Sequence, residues 1–419
     1  MVEITLVMKL KRNTVLVLSL FTFLFTLGFS TKAQWQKNNS GITSALYAVD
    51  FVNDQIGYAT GDNGVVLKTI NAGASWTKLT TNTTDLLYSL HFISDKVGYA
   101  AGGSTVIKTA DGGVSWIKLN HTATGIIEVY FIDAKIGFIS GDGGTFLKTE
   151  DGGNTWSSLN NTGQGSNERI DFIDGSTGFV AGPNIVRTTD GGSTWKKVYG
   201  TSTSFFYSIY FVNNKVGFAC GPGEIVKTSD GGVTWVKQSP NTQTHLRDVV
   251  FLNENMGYVV GGHPMTGERD VVLKTTDGGT NWKIDTTKLG PSFFRYLNGI
   301  ALSNTGDLYV VNMSGSIYKN ETGVTSTFLP KIPGDNGNYK EIRVFPNPVN
   351  SFIILNLDQT EQMDYQIRIF DQTGSLMLEN MYSKASRLTV DVSTFPSGVY
   401  WLQTANAKTT QVSKIIIQH

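Results

Sequence analysis

The chain has 419 residues, enough for two or three domains or for one large β domain with an appendage, so core size is not limiting. Lysine plus arginine and aspartate plus glutamate both number 34, which leaves no net field to draw nucleic acid or an anionic membrane surface. Forty-six glycines, 16 tyrosines and 23 phenylalanines against ten prolines predict many short strands joined by tight turns rather than long helices. The single cysteine, Cys220, excludes an intrachain disulfide and a multi-cysteine metal site, and its GFACGPG setting reads as a small buried strand residue.

Lys9, Lys11 and Arg12 precede the apolar run TVLVLSLFTFLFTLGF, and the small-residue stretch STKAQ follows it. This predicts a secretory signal peptide over residues 1–33, with cleavage after Ala33 leaving Gln34 first and a compact MKLKRN beginning if translation starts at Met8. An uncleaved anchor is the weaker alternative, since the run is about 16 residues against the roughly 20 that a spanning helix needs. No other segment is apolar enough to span a bilayer, so no stable membrane span is expected after cleavage.

Residues 34–329 repeat. Trp35, Trp76, Trp116, Trp156, Trp195, Trp235 and Trp282 are spaced 41, 40, 40, 39, 40 and 47 apart. Each unit holds an apolar run ending in phenylalanine (Phe51, Phe92, Phe131, Phe172, Phe211, Phe251), a turn, G-aromatic-small-small-G, a second turn, V/I/L-K-T, a polar turn and the tryptophan. Four short strands in about 40 residues describe a propeller blade. Six such units begin near Tyr47, Tyr88, Ile127, Arg169, Tyr207 and Val249. A weaker seventh, LNGIALSNTGDLYVVNMSGSIYKNETGVTSTFL, has Thr327 where the tryptophan should stand. The fold class is therefore all-β, a seven-bladed β-propeller, with Trp35 placed to bring the missing outer strand of blade seven from the other end of the chain. Closure of that kind removes an open sheet edge.

The polar turn reads T-x-D-G-G-x-T/S-W around Asp111, Asp151, Asp190, Asp230 and, with Asn281 in the T/S place, Asp277; blade one has Asn71. Two glycines permit positive φ, and aspartate at a turn start accepts backbone N–H bonds. Five equivalent acids spread around a ring fit neither an acid–base pair nor a calcium site, so these aspartates are read as structural. The octets resemble the Asp-box, or bacterial neuraminidase repeat. With the G-F/Y-x-x-G strand and the L-K-T, the unit is similar to the repeats of photosystem II assembly and stability factor propellers and their bacterial relatives, over residues 35 to about 330. The resemblance implies the fold, while one propeller scaffold hosts many activities.

Sialidases share the octet but require three arginines on a carboxylate. The propeller has Arg169, Arg187, Arg247, Arg269 and Arg295, and Arg187 stands in the place of the repeat lysines Lys68, Lys108, Lys148, Lys227 and Lys274. The photosystem factors imply a basic patch for their partner, and no arginine cluster of that kind is present. Aligning blades by their phenylalanine puts Glu128, Arg169 and Asp248 in one register of the innermost strand, where an ion pair between Glu128 and Arg169 is expected.

Partner binding is expected on the face opposite the aspartate turns. There blade six inserts HPMTGERD, His263 to Asp270, and nearby links carry His245, Arg247, Phe293, Phe294, Arg295 and Tyr296. The candidate binding residues are His245, Arg247, His263, Glu268, Arg269, Phe294, Arg295 and Tyr296. His121 and His245 are too isolated for a metal site, and neither metal nor cofactor is expected.

Residues 330–340 lack the period and read as a linker. Residues 341–419 alternate apolar positions (Ile367, Ile369; Leu388, Val390, Val392; Val399, Trp401) around DQTG and FPSG turns, as a small antiparallel β-sandwich does. VFPNP at Val344 to Pro348, the D-x-T-G turn at Asp371 to Gly374, S-G-V-Y at Ser397 to Tyr400 and K-I-I-I at Lys414 to Ile417 resemble the type IX secretion C-terminal sorting domain, type A. That resemblance implies export through the periplasm, recognition by the type IX machinery and a secreted or cell-surface product. The expected function is a noncatalytic propeller binding an extracellular protein or glycan; the alternative is a glycan-active hydrolase, which would need a tight acidic pair in the central cleft.

Overall fold

The computed structural model describes residues 35–419 apart from 160–162, 264–267, 286–295, 304–305, 323–342, 346–351, 357–363, 372–375, 383–386, 397, 406–409 and 418–419. The expected signal peptide and linker lie outside the described residues.

Seven four-stranded antiparallel sheets form the seven expected blades. In blade one they are Leu46–Phe51, Gly57–Gly61, Val66–Thr69 and Thr77–Lys78, inner to outer. Blade seven takes three strands, Leu297–Leu302, Leu308–Asn312 and Ile317–Asn320, from its own unit and its outermost, Gln36–Asn38, from the start of the ring. The closing strand that Trp35 announced is therefore present. It pairs Gln36 with Lys319, Lys37 with Tyr318 and Asn38 with Ile317.

Both glycines of the G-aromatic-x-x-G strand have a steric cause. A Cβ on Gly57 would meet the Phe51 ring at 2.7 Å, so the first glycine seats the phenylalanine that ends the inner strand. A Cβ on Gly61 would meet the Ala45 carbonyl oxygen at 1.9 Å, so the second lets the incoming chain cross close over the strand. The phenylalanine in turn stacks on the aromatic residue of the preceding blade, Tyr58 on Phe92 at 3.8 Å between centroids and Tyr99 on Phe131 at 3.6 Å. The blade's own tryptophan meets it edge-on, as Trp116 meets Phe92 at 6.2 Å. This aromatic relay runs between blades and makes the ring's core.

Cys220 is fully buried in the second strand of blade five, as its setting indicated. The tail forms two sheets, one of Arg343–Phe345, Phe352–Asn356 and Arg387–Asp391, the other of Leu376–Tyr382, Tyr365–Asp371, Gly398–Ala405 and Thr410–Ile417. Ile353, Leu355 and Val390 of the first share one core with Ile367, Ile369, Leu402 and Ile415 of the second, which makes the sandwich. On Gly398–Ala405, Tyr400, Leu402 and Thr404 are buried among the described residues, and the side chains of Val399 and Trp401 lie outside them.

Candidate functional site

The aspartate turns are locked by short local bonds. Asp111 Oδ1 accepts the Thr109 hydroxyl at 2.8 Å and the Ser115 N–H at 2.9 Å, and Oδ2 accepts the Ser115 hydroxyl at 2.6 Å. The same pattern holds Asp151, Asp190 and Asp230, while Asp277 uses the Asn281 amide in place of the hydroxyl. The Ser115 hydroxyl and N–H, then Thr109, hold the Asp111 carboxyl down at about 2. The turn also fastens one blade to the next: Lys68 Nζ and the Tyr58 hydroxyl of blade one both donate to the Gly112 carbonyl of blade two, at 2.7 and 3.0 Å. Lys108 reaches Gly152 and Lys227 reaches Gly278 in the same way. The repeat lysine thus binds the neighbouring aspartate turn, and Arg187 lies over Phe179 as those lysines lie over their own aromatics.

The inner strands surround a cavity of about 240 Å³ lined by Asp50, His91, Glu128, Arg169, Asp171 and Asp248 among others. Here Arg169 makes the expected pair with Glu128 (3.4 Å) and a second with Asp248 (3.5 Å), so one guanidinium spans acids from blades three and six. Both acids are also tied to backbone in the next blade: Glu128 Oε2 accepts the Ile170 N–H, and Asp248 Oδ2 accepts the Ile300 N–H at 3.0 Å. Asp50 and Asp171 take the Phe92 and Phe211 N–H groups likewise, at 3.2 and 2.7 Å. Burial pushes Glu128 up to about 8 against the opposing pull of Arg169 and the Ile170 N–H. It also pushes Asp50 up to about 6 and His91 down to about 4. These groups form a girdle that couples blades.

One residue earlier in the same register lies a ring of a different kind: Tyr47, Tyr88, Ile127, Glu168, Tyr207, Arg247 and Asn298, each four before the end of its inner strand. Tyr47, Ile127, Arg247 and Asn298 are the extra residues of β-bulges, since pairing jumps from Leu46 to Ala48, Ile126 to Glu128, Leu246 to Asp248 and Leu297 to Gly299. A bulge takes a residue out of the ladder and re-aims its side chain. The Tyr47 hydroxyl reaches Asp62 in a loop opposite the aspartate turns, and the loops there are themselves joined, Gly64 N–H to the Asp85 carbonyl and Gly223 N–H to the Thr244 carbonyl.

Two sectors of this mouth are built. In blades five and six the Arg247 guanidinium lies 4.3 Å from the Tyr207 ring centre, the Tyr207 hydroxyl is 3.4 Å from His245 Nδ1, and Phe205 packs 5.1 Å from Tyr207. In blades one and two, Tyr47 and Tyr88 meet edge to face at 4.8 Å, and the Tyr47 hydroxyl donates to Asp62 at 2.9 Å.

Of the candidate residues named from sequence, His245 and Arg247 fall together here, joined by Tyr207, which sequence reasoning missed although the alignment that found Arg169 holds it one position away. His263 and Glu268 pair through backbone in a hairpin that the insertion lengthens to strands Gly257–His263 and Glu268–Thr275; their side chains and that of Arg269 lie outside the described residues. Phe294 and Arg295 also lie outside them. Tyr296 enters blade seven half-buried at φ 42°, its carbonyl accepting the Met313 N–H.

Residues 343–418 match the secretion system C-terminal sorting domain, which marks the chain for export to the cell surface or release through the type IX machinery. Among solved structures, YCF48 from Cyanidioschyzon merolae superposes with a TM-score of 0.57 at 17% identity, over 70% of this chain and 100% of that one. YCF48 bound to D1 peptide gives 0.57 and 17% over 70% and 97%. PorZ, an essential surface component of the type-IX secretion system of Porphyromonas gingivalis, gives 0.54 and 14% over 91% and 60%. No curated protein matches the chain. Residues 28–124, 117–203 and 201–326 match the photosynthesis system II assembly factor YCF48 model, and the chain belongs to that family.

Proposed function

We propose that this exported propeller is a noncatalytic binding module whose loop-face mouth holds an extracellular protein or glycan. The carrying observation is the Tyr207–Arg247–His245 cluster, set by a bulge on the face away from the aspartate turns. A family propeller described as bound to D1 peptide supports a polypeptide on this kind of scaffold. The neighbouring candidates His263, Glu268, Arg269, Phe294, Arg295 and Tyr296 belong to the same face by sequence position. A hydrolase would draw on Glu128, held up at about 8, with Asp248 opposite. Both Glu128 oxygens, however, already meet donors, the Arg169 guanidinium and the Ile170 N–H, which favours a structural acid.

The test is binding of the exported chain to glycan and surface-protein arrays beside a general glycosidase screen. Arg247→Ala and Tyr207→Ala should each weaken retained partners roughly tenfold, the loss of about 1.4 kcal/mol at a moderate anchor, with melting unchanged. Turnover abolished by Glu128→Gln or Asp248→Asn would replace this reading with the hydrolase.

A further inference from the structure

The two mouth sectors can be compared as equivalent positions of one ring. In blades five and six, adjacent positions carry Tyr207 and Arg247, and the chain's own guanidinium covers the tyrosine face at 4.3 Å. In blades one and two the equivalent positions carry Tyr47 and Tyr88, so among the described residues no cation of the ring covers the corner between these two aromatic rings at 62°. Two carboxylates act on its Tyr88 ring. Asp62, in the turn of blade one, accepts the Tyr47 hydroxyl, and Asp142, in the corresponding turn of blade three, accepts the Ser166 hydroxyl at 2.9 Å. Among the described residues neither is ion-paired, whereas Asp85 nearby is matched by Lys118 at 3.7 Å. The Tyr88 side of the corner is open, with Tyr88 37% and Leu86 38% exposed. Burial first, then Asp62 and Asp142, raise the Tyr88 hydroxyl above its ordinary pKa, so both carboxylates act at this one spot.

We propose that the Tyr47–Tyr88 corner, flanked by Asp62 and Asp142, receives a lysine or arginine side chain of a protein partner. The aromatic faces attract the cation through their quadrupole, the two carboxylates supply charge, and Leu86 offers apolar surface to the aliphatic stem. A neutral sugar would use the ring faces but has no call for two uncompensated carboxylates. The inference rests on the binding reading above and narrows its partner to a polypeptide with an exposed basic residue.

The probe is an array of synthetic peptides printed in matched sets, identical except that one lysine is free, acetylated or replaced by glutamate, incubated with the full exported chain beside a glycan array. The expected result is a set of lysine peptides retained at least tenfold better than their acetylated and glutamate forms. That preference should fall with rising salt and be lost in Asp62→Asn/Asp142→Asn, which keeps the hydrogen bonds, and in Tyr88→Ala, with melting unchanged in each. Retained peptides that do not distinguish lysine from acetyl-lysine, or a preference that survives Asp62→Asn/Asp142→Asn, overturn the inference. Glycans retained through Arg247, with the acid variants silent, overturn it while leaving the binding reading standing. No retention on either array removes both.

Discussion

Removing the Arg169 guanidinium would leave Glu128 and Asp248 facing the same cavity without their shared counter-charge, while each still held a backbone N–H of the next blade. Arg169→Ala should therefore cost about 3 kcal/mol, the scale for breaking a buried pair by deleting one partner. The cost has a definite pH sign. Glu128 sits at about 8 in the folded chain, above its ordinary value, so the folded state holds a proton that the unfolded state releases, and stability falls as pH rises between the two. Without Arg169 that carboxyl moves further up, so denaturant titrations should show a larger loss at pH 8 than at pH 5; a loss that shrinks with rising pH would contradict the assignment. The Glu128–Arg169 pair was legible in the sequence because charge marks itself in an alignment of blades. Asp248 fell in the same register, but its contact with Arg169 depends on the ring being narrow enough for one arginine to cross from blade four to blade six, which no local pattern encodes.

At the scale of the strand pair, Tyr47, Ile127, Arg247 and Asn298 owe their placement to bulges, and the close crossing of the incoming chain beside the mouth depends on glycine. A Cβ on Gly221 would lie 1.8 Å from the Phe205 carbonyl, where the chain turns in towards Tyr207. Gly221→Ala should cost about 2 kcal/mol and shift the Tyr207–Arg247 contact, whereas Gly175→Ala, with nothing within 4 Å, should be near neutral. Comparing the two melting curves checks this; equal curves would mean that the crossing is not tight. The sequence shows the glycines plainly. It hides the bulge, because an extra residue in one strand is defined only against its partner, and an alternation count through LYAVDF looks regular either way. The blade itself was readable for the opposite reason: Phe51, Gly57, Lys68 and Trp76 each answer a contact repeated around the ring, so the same cause prints the same letters every 40 residues or so. The repeated aspartates were readable as turn residues, but the bond from the previous blade's lysine to the glycine carbonyl of the same turn crosses between units and emerges only when the blades stand side by side.

On the scale of the molecule, the ring is held shut by three residues, Gln36–Asn38, lying antiparallel beside Ile317–Asn320. Two further bonds pin the same segment, Asn38 Nδ2 to the Gly73 carbonyl at 2.7 Å and the Ser40 hydroxyl to the Gly315 carbonyl. The chain enters at Gln36 beside Lys319 and leaves the blade just beyond Asn320, so its incoming and outgoing ends sit at the same end of one strand pair. A pull applied through those ends loads the pairing by peeling, one rung after another, and never by sliding the strands along each other. The ring should therefore resist sideways pressure well and a tug along the chain poorly. Single-molecule extension should open with a weak first event that frees the residues ahead of Leu46, about ten, or roughly 35 Å of chain. A first event the length of a whole blade would show the seam to be stronger than its neighbours. A molecule of this build can be undone from its ends for passage through a narrow channel, with Trp35 the first aromatic withdrawn from the core it shares with Leu297, Leu308 and Tyr318.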